Sequence, residues 1–251
     1  MNNQQLTTYL LRLGDNALIL GQRLGEWCGH GPILEQDIAM TNISLDLIGQ
    51  ARHWLAYAGQ VEGNGRDEDA LAMLRDQHEF HNLLLVEHLN EDFAYTVLRQ
   101  FLFDSFNYYL HEALCQSKDE QIAAIATRSL KEISYHLRYS SEWVIRLGDG
   151  TDTSHAKMQQ ALDDLWMYAD EALLPDEVDL VATAAGIGPD LAALAPAVTA
   201  KRLQILQEAT LHIPADTYPQ RGGKQGQHTE ALGHLLAELQ WMQRAYPNMS
   251  W

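Results

Sequence analysis

Three polar residues stand where the helical periodicity of this sequence calls for apolar ones: Gln50, Asp104 and His136. Each lies mid-length in a stripe spaced i, i+3/i+4. The stripes read Ile43, Leu47, Gln50, Trp54, Tyr57; then Val97, Phe101, Asp104, Tyr108, His111; then Ile122, Ala126, Ser129, Ile133, His136, Ser140, Trp143, Leu147. A fourth stripe, Leu6, Leu10, Leu13, Ala17, Leu20, Leu24, Trp27, is apolar throughout. Polar groups on a buried face cost free energy unless they are hydrogen-bonded, so these positions are the first places to look for chemistry. Four long helices that turn polar groups toward one interior suggest a carboxylate-bridged di-metal bundle. That chemistry needs a Glu from each of two helices and a Glu-x-x-His pair from each of the other two.

The required pair is missing. The chain contains no Glu-x-x-His, and its one Asp-x-x-His, Asp152/His155, follows a Gly-rich turn and reads as part of it. Glu132/His136, Glu208/His212 and Glu230/His234 share a helix face at i, i+4, a spacing common in surface ion pairs. Two further groups carry chemistry-bearing side chains. His78-Glu-Phe-His81 has ligand spacing but no helical partner pair, and reads as a hydrogen-bonding or partner-contacting element. Arg221-Gly-Gly-Lys224-Gln-Gly226 is a basic Gly-rich loop before a helix that Thr229 caps, where backbone N–H groups and two cations could hold a phosphate. Its spacing does not match a P-loop. Cys28 and Cys115 are too few for a disulfide framework and read as reduced, buried thiols.

The elements that must position these residues are helices. Periodicity predicts them over 6–28, 35–59, 67–75, 91–117, 119–147, 154–174, 176–184, 189–212 and 229–246, with 214–228 the longest loop. The expected architecture is all-α: one domain, its core bundle at about 5–174 and a C-terminal helical extension at about 175–251. Tyr108, Tyr109, Trp143 and Trp166 fall at core spacings, and the tail ends in Trp251. With 34 Asp+Glu against 17 Lys+Arg, a net charge of -17 argues against nucleic acid and anionic membranes and suits a basic partner. The N-terminal segment lacks signal-peptide features, no run is apolar enough to span a bilayer, and a cytoplasmic protein is expected.

Several motifs together resemble a known family. They are Leu11-Arg-Leu-Gly-Asp-Asn16, Leu24-Gly-Glu-Trp-Cys-Gly-His30, Asn42-Ile-Ser-Leu-Asp-Leu-Ile-Gly-Gln-Ala-Arg52, Lys131-Glu-Ile-Ser-Tyr-His-Leu-Arg138, Gly148-Asp-Gly-Thr151 and the 221–230 segment. They resemble the structural subunits of bacterial phenylacetyl-CoA 1,2-epoxidases, ring-epoxidising monooxygenases of aerobic phenylacetate degradation. The resemblance implies a ferritin-like bundle that carries no cofactor itself. It also implies a catalytic di-iron partner subunit, a small further subunit, and a flavin and iron–sulfur reductase fed by NADPH. Phenylacetyl-CoA becomes a candidate ligand at the shared surface. The ligand motifs of the catalytic relatives fall on Leu47 and Gln50, and on Ile133 and His136; less directly they fall on Ala17 and Asp104. The resemblance thus implies a vestigial metal centre in a partner-dependent subunit. Two rival readings come from the residues alone: a metalloenzyme with an unconventional site on His136, Asp104 and one Glu-x-x-x-His, or a free-standing acyl-CoA-binding protein.

Overall fold

The structure is a computed structural model that describes residues 1–215, 217–247 and 249. The expected tail residue Trp251 lies outside them. Ten α-helices occur among the described residues: α1 (Asn3–Gly25), α2 (Leu34–Glu62), α3 (Glu68–Met73), α4 (Leu84–Glu87), α5 (Phe93–Leu114), α6 (Glu120–Gly148), α7 (Asp152–Leu165), α8 (Glu177–Ala185), α9 (Leu191–Glu208) and α10 (Glu230–Ala245). No strand occurs among the described residues. The all-α, ferritin-like expectation is therefore met. The four long helices α1, α2, α5 and α6 form the bundle, and α7 and α9 cover α5. α8 lies on α1, and α10 on α3.

Local chemistry sets these elements. Asn2 and Gln5 close a capping box at the start of α1, and Asp92, Asp119 and Asp190 cap α5, α6 and α9 through their carboxylates. Gly63 ends α2 in the left-handed region, at φ 72°, where other residues are strained. Two glycines let α1 and α2 meet closely. A Cβ at Gly14 would lie 2.7 Å from Leu55, and Gly21 packs on Leu47 and Ser44, whose hydroxyl donates to the Gly21 carbonyl at 2.7 Å.

The apolar stripes are buried as their spacing requires: Leu10, Leu13, Ala17, Leu20 and Leu24 on α1; Ile43, Leu47 and Trp54 on α2; Val97 and Phe101 on α5; Ile122, Ala126 and Ile133 on α6. Several expectations need correction. The helix read over 154–174 is α7 followed by two 3-10 turns, Trp166–Tyr168 and Glu171–Leu173, and the one read over 189–212 ends at Glu208. Helix α4 has no counterpart among the elements that periodicity predicts. Asp152 begins α7 rather than sitting in the turn before it. Cys28 is exposed and Cys115 half-buried. Thr229 stands at the start of α10 but its side chain makes no capping bond.

Candidate functional site

Three helices bring polar side chains together inside the bundle, each as an i, i+4 pair. α2 supplies Asp46 and Gln50, α5 supplies Gln100 and Asp104, and α6 supplies Glu132 and His136, with Ser140 one turn on. His136 is fully buried and its Nε2–H donates to Asp46 Oδ2 at 2.9 Å. Gln50 Nε2 donates to Glu132 Oε2 at 2.9 Å. Asp104, also fully buried, accepts from Gln100 Nε2 at 2.7 Å and from Ser140 Oγ at 2.9 Å. Burial pushes the Asp104 carboxyl up to about 6; the charge at His136 and the two hydrogen bonds offset this only in part. His136 Nδ1 and Gln100 Oε1 are buried without a protein partner.

His136 lies near enough to Asp104 to act on its charge, and Gln50 bonds Glu132, one turn from His136 on α6. Glu132 and His136 are not the surface ion pair their spacing suggested, because each bonds across to α2. Glu230/His234 does form an exposed contact, at 3.4 Å, and Glu208 bonds Gln204. The roles of Asp46 and Gln100 escaped the sequence reading, which had Glu132 only as the neighbour of His136 and Ser140 only as part of the α6 stripe. The signal that could have found them is the repeated i, i+4 polar pairing on three neighbouring helices.

A di-iron group does not fit this donor set. Ala17, Leu47 and Ile133 place buried hydrocarbon at three of the six positions on which the resemblance puts ligand motifs. Asp104 is the one carboxylate among the six positions, and Asp46 and Glu132 are turned to His136 and Gln50. No three His, Cys, Asp or Glu side chains among the described residues are grouped so as to hold a metal ion.

The Gly-rich loop is a second polar concentration, and it is spoken for. Gly222 and Gly223 N–H do cradle an anion, but that anion is the chain's own Glu171, at 2.8 Å from each; its other oxygen accepts from Leu84 N–H at 2.8 Å. Lys224 is buried and donates to Asp179 at 2.9 Å and to the Leu174 carbonyl at 2.8 Å. It is not a free cation for a phosphate. Arg12 completes the cluster by bonding Asp176 and Asp179. Burial works against the Asp176 charge, but the Arg12 bonds hold that carboxyl well below the usual range. Of the two loop cations, Arg221 stays exposed.

His81 belongs to the same lock: its N–H donates to Asp15 at 2.9 Å and its Nδ1–H to the Lys224 carbonyl at 3.1 Å. His78 has an exposed side chain, and its carbonyl abuts Gly226, where any Cβ would come within 2.3 Å. Beyond the loop, Glu87 is fully buried and accepts from Asn82, from His228 Nδ1–H and from Thr229 N–H. His228 meets acceptors at both ring nitrogens, Glu87 and the Phe80 carbonyl, each at 2.9 Å, and so is an imidazolium.

Comparison with known proteins gives the chain a family. A family described as "Phenylacetic acid catabolic protein" matches residues 1–251. The chain is 50% identical, over 247 residues covering 98% of its length and 99% of the relative's, to one of the subunits of the 1,2-phenylacetyl-CoA epoxidase of Escherichia coli (strain K12).

Proposed function

The chain belongs to the phenylacetic acid catabolic protein family, and from that premise we propose that it is the non-catalytic structural subunit of a multicomponent di-iron monooxygenase. The complex epoxidises the ring of phenylacetyl-CoA, and this chain holds and stabilises the catalytic di-iron subunit. A small further subunit and an NADPH-fed flavin and iron–sulfur reductase complete the assembly in the cytoplasm. Among the described residues no helix is long and apolar enough to cross a membrane.

One observation carries the reading. The place where four helices could converge on two metal ions is occupied by Ala17, Leu47 and Ile133 and by polar groups that bond one another, Asp46 with His136, Gln50 with Glu132, and Asp104 with Ser140 and Gln100, while His136 Nδ1 and Gln100 Oε1 keep no protein partner. Such a bundle closes without metal loading and offers a rigid surface from the start. The acyl-CoA-binding alternative loses its main support with Lys224. A surface hollow of about 620 Å³ beside α7 does not replace it, because its Lys157 is paired with Asp92 at 3.1 Å among several carboxylates.

The test is co-expression with the catalytic relative, followed by iron counting on each separated chain and turnover assays. We expect no stoichiometric iron in this chain, and a catalytic chain that is inactive or insoluble alone. Near-stoichiometric iron lost on His136→Ala would refute the reading. So would full-rate epoxidation by the catalytic chain and reductase without this subunit.

A further inference from the structure

The outward face of the α2–α6 pair differs from the rest of the surface. The two helices run antiparallel along a seam closed by Tyr139–Gln36, His136–Asp46 and Glu132–Gln50 contacts. On the solvent side α2 presents Leu34, Ile38 and Leu45, at 71%, 52% and 60% exposure. From residue 127 onward, α6 exposes Arg128, Lys131, Tyr135, Arg138 and Arg146 against one carboxylate, Glu142, with Thr127 and Ser134 between them. That is four cations to one anion, in a chain where anions outnumber cations two to one. Surface ion pairs among the described residues draw on Arg52, Arg66, Lys157 and Arg244 and leave these four without a described carboxylate partner. Arg138 and Arg146 instead lie over the Tyr135 and Trp143 rings, 5.6 and 4.7 Å from the centroids. Arg52 and Arg128 both act on His53 at the seam, so the two exposed stripes border one surface.

We propose that this α2–α6 face is the docking surface of the subunit and that its occupant is a different chain, presenting a helical face rich in carboxylates. The proposal rests on the structural-subunit reading, with the catalytic relative as that chain. Two features of the face support it. The stripe on α2 runs from Leu34 to Arg52, about 28 Å at the α-helical rise, and that on α6 from Thr127 to Gly148, about 33 Å, so two adjoining faces each about 10 Å wide offer about 600 Å². That is about three-quarters of the roughly 800 Å² per partner of a stable interface, enough for its centre. The charge selects the occupant: a second copy docked on a two-fold axis would oppose cations with cations, since the exposed positions of α2 carry one carboxylate, Glu35, and one further cation, Arg52, while the half-exposed Asp37 and Asp46 are bonded to Gly31 N–H and His136. An acidic face on another chain meets the α6 cations while its apolar residues cover Leu34, Ile38 and Leu45.

The experiment uses the purified chain and its catalytic relative. Binding is measured by calorimetry at low and moderate salt for wild type, for Arg128→Glu/Lys131→Glu/Arg138→Glu and for Ile38→Ser/Leu45→Ser. Sedimentation of the chain alone and hydroxyl-radical footprinting of the complex accompany it. Expected are a wild-type affinity that falls with salt, at least 30-fold weaker binding by the charge-reversed chain with an unchanged melting temperature, and protection of Tyr135 in the complex. Wild-type-like binding by both variants, an unprotected Tyr135, or a homodimer dissolved by the charge reversal each overturns the proposal while the subunit reading stands. If the wild-type chains do not associate at all, both fall.

Discussion

Replacing Asp104 by Asn should stabilise this protein at slightly alkaline pH. The Asp104 carboxyl is fully buried, and its pKa stands at about 6 instead of 3.8. At about 1.4 kcal/mol per pH unit, that gap is worth about 3 kcal/mol. The sign follows from proton uptake. Between these two values the folded state holds a proton that the unfolded chain has lost, so stability falls as pH rises through about 6 and the full cost is present above it. Asn removes the ionisation and keeps the shape. Its Oδ1 can accept from Ser140, and its Nδ2 can donate to Gln100 Oε1, an acceptor that now has no partner. Urea unfolding at pH 8 should show the variant about 1–3 kcal/mol more stable, the range allowing for imperfect repacking. Near pH 4 the difference should vanish, and the variant's stability should lose the pH slope between about 4 and 6. A variant destabilised by more than about 1 kcal/mol at pH 8, with the wild-type slope retained, would refute this reasoning and make Asp104 a required anion for His136.

The remaining predictions concern the buried charges around the loop. For His228, burial lowers the pKa but the bonds to Glu87 and the Phe80 carbonyl outweigh it and raise the net value; its contribution is therefore complete below about 6.5 and lost as pH rises through the folded value. The protection factor of the Thr229 amide, with the intrinsic rise of exchange with pH removed, should fall across that rise, and a constant protection factor in wild type would contradict the imidazolium assignment. Glu171→Gln leaves one carbonyl oxygen where two carboxylate oxygens accept three N–H groups, and should lower stability by about 2–3 kcal/mol in calorimetric melting. Arg75 is buried against Asp15, donates to the Glu79 carbonyl at 2.9 Å and lies over the Phe80 ring. Arg75→Met should cost about 3–5 kcal/mol, because Asp15 is left charged and buried; Asp15→Asn in the same chain should recover part of that loss.

The bundle was legible in the sequence because its stripes carry their information locally. Leu10, Leu13, Ala17, Leu20 and Leu24 recur at helical spacing, and burial follows from periodicity alone. The polar centre was half legible. Gln50, Asp104 and His136 interrupt apolar stripes and all three are buried, but which residue each one bonds depends on how α2, α5 and α6 are rotated, which no single stripe encodes. The loop lock was illegible. The apolar stripe of α1 hides a second buried face, Arg12, Asp15 and Arg23, whose partners lie far along the chain: Asp176 for Arg12, Arg75 for Asp15 and the Glu87 carbonyl for Arg23. A basic residue in a Gly-rich loop looks the same in sequence whether it awaits a phosphate or is already bonded to Asp179. The overlong reading of α7 has a similar cause, since helical spacing continues through the 3-10 turns.

The internal acids Glu87 and Glu171 separate two moments in the life of the chain. Both are buried against donors that come late in the sequence, Gly222 and Gly223 for Glu171, His228 and Thr229 for Glu87. During synthesis a chain that has emerged only through α9 has given Glu171 only Leu84 N–H and Glu87 only Asn82, and most of the donors that these buried carboxylates need are still to come. The α2–α6 face is finished at Gly148. The arrival of residue 229 therefore completes the bonding of Glu87 long after the helices of that face have been made.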